Sequence, residues 1–364
     1  MENRVITFGR FEAASIFIHA LIIKVLLGLP QLLCAQAGSA AWMIALISGI
    51  VFLILVWIIS ALYRCYEGKN ILQIAEETGG KVLKWCIGVA LLLPLLFKGG
   101  ITLRLAAETL NLITPYRLPT VLTAVLVGAA MVVAAYRGIE TVARLHALLL
   151  PVILLALSLV VIASLGSIRL DNLFPFWGLG RDKVLAESFG AISMYTDLLY
   201  LFLLYPYVKS RHTFSRAMKT GAVVATIVQL VLVLCYVLTT QYPESGELFM
   251  PIYQVSRIIR LGDNSQSIEA IFYPIWILSS LLYLSLSLTF AMELAGQLTH
   301  TKYQKLFILP FAGLMFSVGY LPESVLSAMR LSSSLSPLLS ALAMLLPTLV
   351  LVYARAGRRK MRES

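Results

Sequence analysis

The chain is 364 residues long, 59% hydrophobic and only 13% charged. A soluble domain of this size is about half apolar and about a quarter charged, so this chain has too few polar side chains to cover a water-exposed surface. The composition excludes a soluble enzyme, a disordered chain and a secreted disulfide scaffold. One membrane-spanning helix takes about 20 apolar residues, so about 215 apolar residues predict an all-α polytopic membrane protein with about ten spans.

Charge-free stretches mark the predicted helices. The first long run, 25–63, exceeds one span, and Gly28-Leu29-Pro30 and Gly38-Ser39 within it indicate a break and then a turn. We expect no separate soluble domain, so residues 1–364 are interpreted as a single membrane domain. In chain order, the ten predicted transmembrane helices cover residues 11–36, 40–63, 82–112, 119–136, 142–165, 184–208, 217–240, 267–298, 305–321 and 335–355.

The net charge of +11 is explained by the loops between these helices. With a cytoplasmic N-terminus, the inside segments hold 19 Lys and Arg residues and the outside segments hold 7. Cytoplasmic loops of membrane proteins are enriched in Lys and Arg. The count therefore predicts a multi-pass protein with both termini in the cytoplasm, and no nucleic acid partner is expected.

The sequence lacks the residue patterns of metal centres, cofactor sites and common catalytic motifs. Its four cysteines form no CxxC pair, and its four histidines are scattered along the chain. No Walker-type GxxxxGK[ST], GxGxxG, HExxH or GxSxG motif stands in a convincing context. We therefore expect no metal, no cofactor and no enzymatic activity.

Two predicted helices carry breaks that favour a ligand site. Helix 1 contains Leu27-Gly28-Leu29-Pro30, and helix 6, five helices later, contains Phe189-Gly190 and Ser193. Interrupted helices at corresponding positions of two halves indicate a transporter-like site. This pairing predicts two inverted five-helix repeats, over about 11–165 and about 184–355. The alternative is that Gly28 and Pro30 only bend helix 1 and Gly190 only allows close packing.

Backbone groups exposed at such breaks determine which ligand fits. N–H groups at the start of a half-helix suit a carboxylate, and freed carbonyl groups suit an ammonium group or a cation. A zwitterionic amino acid matches both. The candidate substrate-binding residues at the breaks are Leu27, Gly28, Leu29, Pro30, Phe189, Gly190 and Ser193.

Charged residues inside predicted spans are costly and are functional candidates by default. In helix 3, Arg104 and Glu108 are four residues apart, so Arg104 either holds a substrate carboxylate or forms a self-neutralising pair with Glu108. Asp197 in helix 6 binds a cation or a proton, or else pairs with a basic neighbour such as Lys98 or Lys24. The candidates for coupling or gating are Lys98, Glu108 and Asp197, and Arg104 and Tyr283 join the substrate-binding candidates.

Short local motifs, in their order and spacing, resemble those of the spore germination permease family. The resemblance covers nearly the whole chain. The motifs are Leu29-Pro30 with Ala37-Gly38, Glu77-Thr78-Gly79, Leu103-Arg104-Leu105 with Glu108, Tyr136-Arg137-Gly138-Ile139-Glu140 with Ala143-Arg144, Asn172-Leu173-Phe174-Pro175, and Tyr205-Pro206-Tyr207-Val208-Lys209.

The resemblance implies the membrane B subunit of a nutrient germinant receptor. It implies a fold similar to the amino acid–polyamine–organocation transporters, with a pocket between broken helices 1 and 6 and helices 3 and 8. It also implies a small nutrient ligand, most often an amino acid, and a complex with a larger A subunit and a lipoprotein C subunit in the spore inner membrane. Lys24 and Lys98 depart from the family pattern, and their positive charge favours a ligand with an anionic group.

Three functions follow from these patterns. The leading hypothesis is a germinant-receptor subunit that binds a small nutrient and transmits a conformational change to its partners. The second is an ion-coupled amino acid secondary transporter that acts alone, with Asp197 or a carbonyl group at a helix break as the ion site. The third is a membrane scaffold that only anchors other subunits in the lipid bilayer.

Overall fold

The computed structural model describes residues 7–63, 66, 68–113, 118–258 and 269–363, most of them helical. Within those ranges, strand-like pairing is limited to one isolated bridge, between Phe8 and Val208. The α-helices are α1 Arg10–Leu27, α2 Leu29–Ala37, α3 Ala41–Tyr63, α4 Ile71–Ile113, α5 Thr120–Tyr136, α6 Ile139–Ser164, α7 Arg181–Gly190, α8 Leu199–Leu204, α9 Arg211–Thr239, α10 Pro251–Ile258, α11 Glu269–Thr299, α12 Ile308–Tyr320 and α13 Val325–Glu363. Short 3₁₀ helices cover Gly38–Ala40, Leu165–Ser167, Leu170–Leu173, Ala191–Leu198, Tyr205–Tyr207, Glu244–Gly246 and Gln304–Phe307.

The length and hydropathy of these helices make the chain an integral membrane protein. Among the described residues, seven helical stretches are long and apolar enough to cross a membrane. The apolar helix α5 is shorter, at 17 residues. The all-α membrane class that the composition predicts is therefore confirmed.

Several helices extend beyond the predicted spans, because helical hydrogen bonding does not stop where an apolar run stops. α4 consists of two parts that meet at Gly79 and Gly80, where the backbone is not helical; the second part agrees with the predicted span 82–112, and the first, over 71–78, precedes it. Gly80 has a φ of 72°, which glycine adopts without steric cost. α13 continues to Glu363, past the predicted end at residue 355.

The predicted orientation depends on charges in the connecting loops. Segments 1–6, 114–117 and 259–268 contribute to that count, and they lie outside the described residues. The cytoplasmic location of both termini therefore stays a prediction.

The interruption that the sequence predicts in the first helix lies at Gly28, between α1 and α2. Gly28 has φ 132° and ψ 7°, so helical geometry stops at this residue. Its N–H donates to the carbonyl of Lys24 at 3.1 Å, and its own carbonyl accepts the N–H of Leu32 at 3.1 Å. Pro30 stands in the first turn of α2, where its missing N–H costs no intrahelical bond. Glycine and proline together therefore end one helix and begin the next.

The second predicted interruption, over 190–193, overlaps an irregular segment that is longer and has a different form. Gly190 has right-handed helical angles (φ −59°, ψ −39°) and ends α7, so regular α-helix stops directly after it. After Gly190 the chain continues as the 3₁₀ helix Ala191–Leu198, which we call the unwound segment. Tyr195 within it has non-helical backbone angles. Hydroxyl groups of Thr196 and Ser340 donate to the carbonyl of Ser193. Side chains thus satisfy backbone groups that a regular α-helix would have paired.

α1 lies at the centre of the bundle. It packs against α6, α9 and α11, and every residue from Ala13 to Leu26 except Lys24 is buried. α11 packs against α4, α5, α6 and α1. The unwound segment contacts α13, α3 and α1. These contacts bring the two interruptions together inside the protein.

The positive φ of Gly28 generates a stability prediction. We expect Gly28→Ala to lower the free energy of unfolding by about 1–3 kcal/mol, because an L side chain is strained at this backbone angle. Gly128→Ala is the matched control: nothing lies within 4 Å of a Cβ added there, in the middle of α5. Thermal unfolding of the purified protein in detergent measures both changes. An equal effect of the two substitutions would contradict a strained break at Gly28.

Candidate binding site

A cavity of about 310 Å³ lies beside the two interruptions. Its walls come from the α1–α2 junction, one face of α4, the unwound segment, α11 and the N-terminal part of α13. Leu27, Gly28 and Leu29 contribute the break itself, and Met194 and Asp197 contribute the unwound segment. The cavity therefore meets irregular backbone from two separate helices, which is the setting in which such backbone is tolerated at membrane depth.

Asp197 is the acidic centre of this site and is 1% exposed. Its Oδ2 atom lies 2.7 Å from the ammonium nitrogen of Lys24 and 3.9 Å from that of Lys98. The hydroxyl of Tyr283 donates to its Oδ1 atom at 2.9 Å. A buried carboxylate costs several kcal/mol unless it is paired and hydrogen-bonded, and Asp197 has both kinds of partner.

Lys24 reaches the unwound segment through two further contacts. Its ammonium group donates a hydrogen bond to the carbonyl oxygen of Met194. It also lies 5.1 Å from the centre of the Tyr195 ring, within the range of a cation–π interaction. One side chain from α1 thus contacts three groups of the unwound segment: a carbonyl, an aromatic face and a carboxylate.

The cavity lining is positively charged. Of the described residues that line it, Lys24, Lys98 and Arg330 are cationic and Asp197 is anionic. Arg330 is exposed, whereas the two lysines are largely covered. Positive charge in a low-dielectric setting attracts an anionic group. Apolar side chains of α1 and α4 and hydroxyl groups of α13 make up much of the remaining wall, so the cavity suits a small molecule with an anionic group and a short apolar part.

Six of the predicted site residues line the cavity. They are Leu27, Gly28, Leu29, Lys98, Asp197 and Tyr283. Pro30 lies next to them but is buried in the first turn of α2. Their roles in binding or coupling stay predictions, since a position beside a cavity does not by itself establish binding.

Arg104 and Glu108 lie elsewhere. Neither is among the described residues that line the cavity. The Nε atom of Arg104 donates to Oε1 of Glu108 at 2.8 Å, and its guanidinium lies 4.4 Å from the Tyr320 ring centre on α12. Arg104 is six residues from Lys98, which rotates it by about 240° around an α-helix. This geometry matches the alternative of a self-neutralising pair.

The remaining predicted residues belong to the helix 6 region, outside the described lining of the cavity. Phe189 is 64% exposed. Gly190 ends α7, and Ser193 contributes a carbonyl that accepts from Ser340 and Thr196. None of these three is among the described lining residues, and binding roles for them stay predictions.

Sequence reasoning missed the contribution of α13. Four residues of α13 line the cavity: Arg330, Ser332, Ser333 and Ser336. The sequence pattern places Arg330 in a connecting loop, because it precedes the predicted tenth helix, 335–355. The run Ser332-Ser333-Ser334 with Ser336 is a usable signal, since hydroxyl groups clustered at the end of an apolar helix indicate a polar surface.

No metal centre is present among the described residues. No group of three or more His, Cys, Asp or Glu side chains there could hold a metal ion.

Comparison with solved structures identifies the class of fold. A nucleobase-cation-symport-1 family transporter, in a closed conformation with bromovinylhydantoin bound, has a TM-score of 0.70 at 18% identity and covers 93% of this chain and 78% of its own. A Na⁺-coupled sialic acid symporter in a substrate-bound outward-open state has a TM-score of 0.68 at 12% identity, with the same coverage of 93% and 78%. The chain thus has the fold of these secondary transporters.

Sequence comparison gives the family. Residues 10–324 match the model of the spore permease family, described as spore germination protein, and the chain belongs to this family. Spore germination protein YndE of Bacillus subtilis (strain 168) is 23% identical over 59% of this chain, and spore germination protein KB of the same organism is 27% identical over 49%. The matches span 60% and 50% of those two relatives. Spore germination protein XB of Bacillus anthracis is 21% identical over 94% of both chains.

The Arg104–Glu108 pair generates a second prediction. In a double-mutant cycle with Arg104→Met and Glu108→Gln, we expect a coupling energy of about 1.5–3 kcal/mol, because Arg104 is largely buried and its hydrogen bond is charge-assisted. The exposed pair Arg144–Glu140, also four residues apart, is the matched control with an expected coupling of about 0.3–0.5 kcal/mol. Thermal unfolding of the purified variants measures both. Equal coupling energies would show that the Arg104 pair is no more than a surface contact.

Proposed function

We propose that the chain is a permease-like subunit of a nutrient germinant receptor of endospores. It binds a small nutrient, in our proposal an amino acid, in the cavity beside Asp197 and transmits a conformational change that signals germination. The observation that carries the proposal is the cavity itself, because it lies between two interrupted helices and is lined by charged groups of both signs. Membership of a spore germination family supports the biological setting.

The backbone at Gly28 supports recognition of a carboxylate. The first N–H groups of any α-helix lack intrahelical partners and attract anions, and α2 begins at Leu29 on the cavity wall. Lys98, on α4, lines the same cavity. A ligand carboxylate placed between them gains hydrogen bonds and charge pairing. Asp197 also lines the cavity and supplies the negative charge that attracts a ligand ammonium group.

The proposed architecture is ten transmembrane helices in two inverted five-helix repeats, with interrupted helices 1 and 6. The likeness to secondary transporters and the position of the two interruptions, five predicted helices apart, support it. The two repeats are about 11–165 and about 184–355. A ligand shifts such a protein between resting and signalling states only by its differential affinity for the two.

The proposed partners are a larger membrane A subunit and a lipoprotein C subunit, in the lipid bilayer of the spore inner membrane. The support comes from the family and from relatives named as spore germination proteins. We also propose that both termini face the cytoplasm, as the loop charges indicate.

An ion-coupled amino acid transporter that acts alone is the second candidate. The likeness to proteins described as a cation symporter and a Na⁺-coupled symporter favours it. Reconstitution into proteoliposomes separates the two: uptake of a labelled amino acid driven by a sodium or proton gradient, without partner subunits, supports a transporter. Amino acid binding to the purified chain without uptake supports a receptor subunit, and absence of both leaves the scaffold function.

The proposed ligand site generates a third prediction. We expect Lys98→Met to weaken nutrient binding about 10- to 150-fold, because a charge-assisted contact contributes about 1.5–3 kcal/mol. A thermal-shift screen of the twenty amino acids on the purified chain identifies a binding partner, since a ligand that binds only the folded state raises its stability. Calorimetry then gives the dissociation constant of the wild type and the variant. Spores that carry each form give the nutrient dose for half-maximal germination.

Lys84→Met is the control for this experiment. Lys84 lies on the same helix, is buried and pairs with Glu76 at 2.8 Å, but it is 14 residues from Lys98, or about 21 Å along an α-helix. We expect it to leave the dissociation constant unchanged. Equal nutrient affinity in wild type and Lys98→Met would place the ligand elsewhere.

A further inference from the structure

We propose that the Lys24 ammonium group is a built-in cation that joins the two interrupted helices, in a position where a free monovalent cation would otherwise be needed. The protein then holds its central site together without binding sodium or potassium there. The structural claim concerns the chain's own residues, and only its consequence for nutrient binding rests on the proposed function.

The surroundings of the Lys24 ammonium group are those of a cation site. It lies 2.7 Å from Oδ2 of Asp197 and donates to the carbonyl oxygen of Met194, with the Tyr195 ring centre at 5.1 Å. Carboxylate and backbone carbonyl oxygens are the ligands that hard cations prefer. A carbonyl group freed from helical bonding needs a donor or a cation when it is buried. The Lys24 ammonium group neutralises the carboxylate of Asp197 and also donates to the carbonyl of Met194.

The position of Lys24 in the chain makes it a connection between the two interrupted helices. It stands one helical turn before Gly28, and its own carbonyl accepts the Gly28 N–H at 3.1 Å. Its side chain reaches Met194 and Asp197 in the unwound segment, and Asp197 in turn accepts from Tyr283 of α11. Any separation of the two interruptions must therefore break the contacts of one ammonium group.

Covalent attachment gives this cation an advantage over a free ion. A free cation loses translational freedom when it binds and dissociates when its concentration falls. Lys24 is tethered to a helix whose neighbouring residues are buried, so its effective concentration at the site is fixed by the fold. The connection is thus independent of the ionic composition of the medium.

The charge balance leaves Lys98 available. Lys24 forms the closer ion pair with Asp197, at 2.7 Å, whereas Lys98 is 3.9 Å from the same oxygen and lines the cavity. If the proposed function holds, the anionic group of a nutrient is attracted to Lys98, while Lys24 keeps the scaffold together.

The experiment measures the unfolding temperature of the purified full-length chain in detergent, without any nutrient. The variants are the wild type, Lys24→Ala, the double variant Lys24→Ala with Asp197→Asn, and Lys305→Ala as control. Lys305 also lies over an aromatic ring, that of Tyr136, but it is exposed. Each is measured at equal ionic strength in the chlorides of N-methyl-D-glucamine, sodium and propylammonium, because propylammonium replaces the atoms that Lys24→Ala removes.

The expected result is a cation requirement that appears only when Lys24 is removed. The wild type and Lys305→Ala unfold at the same temperature in all three salts. Lys24→Ala unfolds about 5 °C or more below the wild type in N-methyl-D-glucamine chloride, because the Met194 carbonyl loses its donor and buried Asp197 keeps only Lys98, at 3.9 Å, and the Tyr283 hydroxyl as partners. Sodium or propylammonium restores at least half of that loss. The double variant is insensitive to the cation, because its site has lost both charges.

Two results would overturn the proposal. One is a wild-type unfolding temperature that rises in sodium over N-methyl-D-glucamine, which would mean that a free ion binds beside Lys24. The other is a loss for Lys24→Ala that neither sodium nor propylammonium restores. If Lys24→Ala cannot be purified, the test uses the wild type and the double variant. The proposal then requires that the double variant folds and that the unfolding temperature of both proteins is the same in all three salts. Because no nutrient is added, these outcomes are independent of the proposed receptor function.

Discussion

A carboxylate buried in the middle of a membrane protein is the constraint on which this structure depends. Asp197 is 1% exposed, and an unpaired charge in such a place costs several kcal/mol. Its partners come from three different helices: Lys24 from α1, Lys98 from α4 and Tyr283 from α11. Satisfying this one side chain therefore fixes how α1, α4 and α11 are placed around the unwound segment.

The two interruptions follow from the same constraint. Gly28 ends α1 so that α2 begins at the cavity, and the 3₁₀ geometry of Ala191–Leu198 turns carbonyl groups toward Lys24 and Ser340. Irregular backbone persists at membrane depth only where protein groups or water satisfy it. A cavity bordered by such backbone is able to bind a polar solute, because its hydrogen-bonding groups already face inward.

The fold alone does not determine what the protein does, since one transporter fold serves many functions. The charged residues that line the cavity say more about the ligand than the fold does. The cationic character of the cavity lining points to a ligand with an anionic group, and the tethered ammonium group of Lys24 makes a separate coupling ion unnecessary at the junction of the two interruptions.

The sequence alone determined the membrane class, the approximate helix ranges and the break at Gly28. These follow from local physics: hydropathy sets which segments leave water, and glycine followed by proline ends a helix whatever surrounds it. The sequence also indicated that Asp197, Lys24 and Lys98 belong together. It left open whether Asp197 pairs with one of the lysines or binds a free cation or a proton. Tertiary structure alone placed Arg104 outside the cavity, brought Arg330 and the α13 serines into it, and gave the second interruption its 3₁₀ form and its extent, Ala191–Leu198. The reason is that the face a helix presents depends on its rotation and packing against distant helices, which no local pattern encodes.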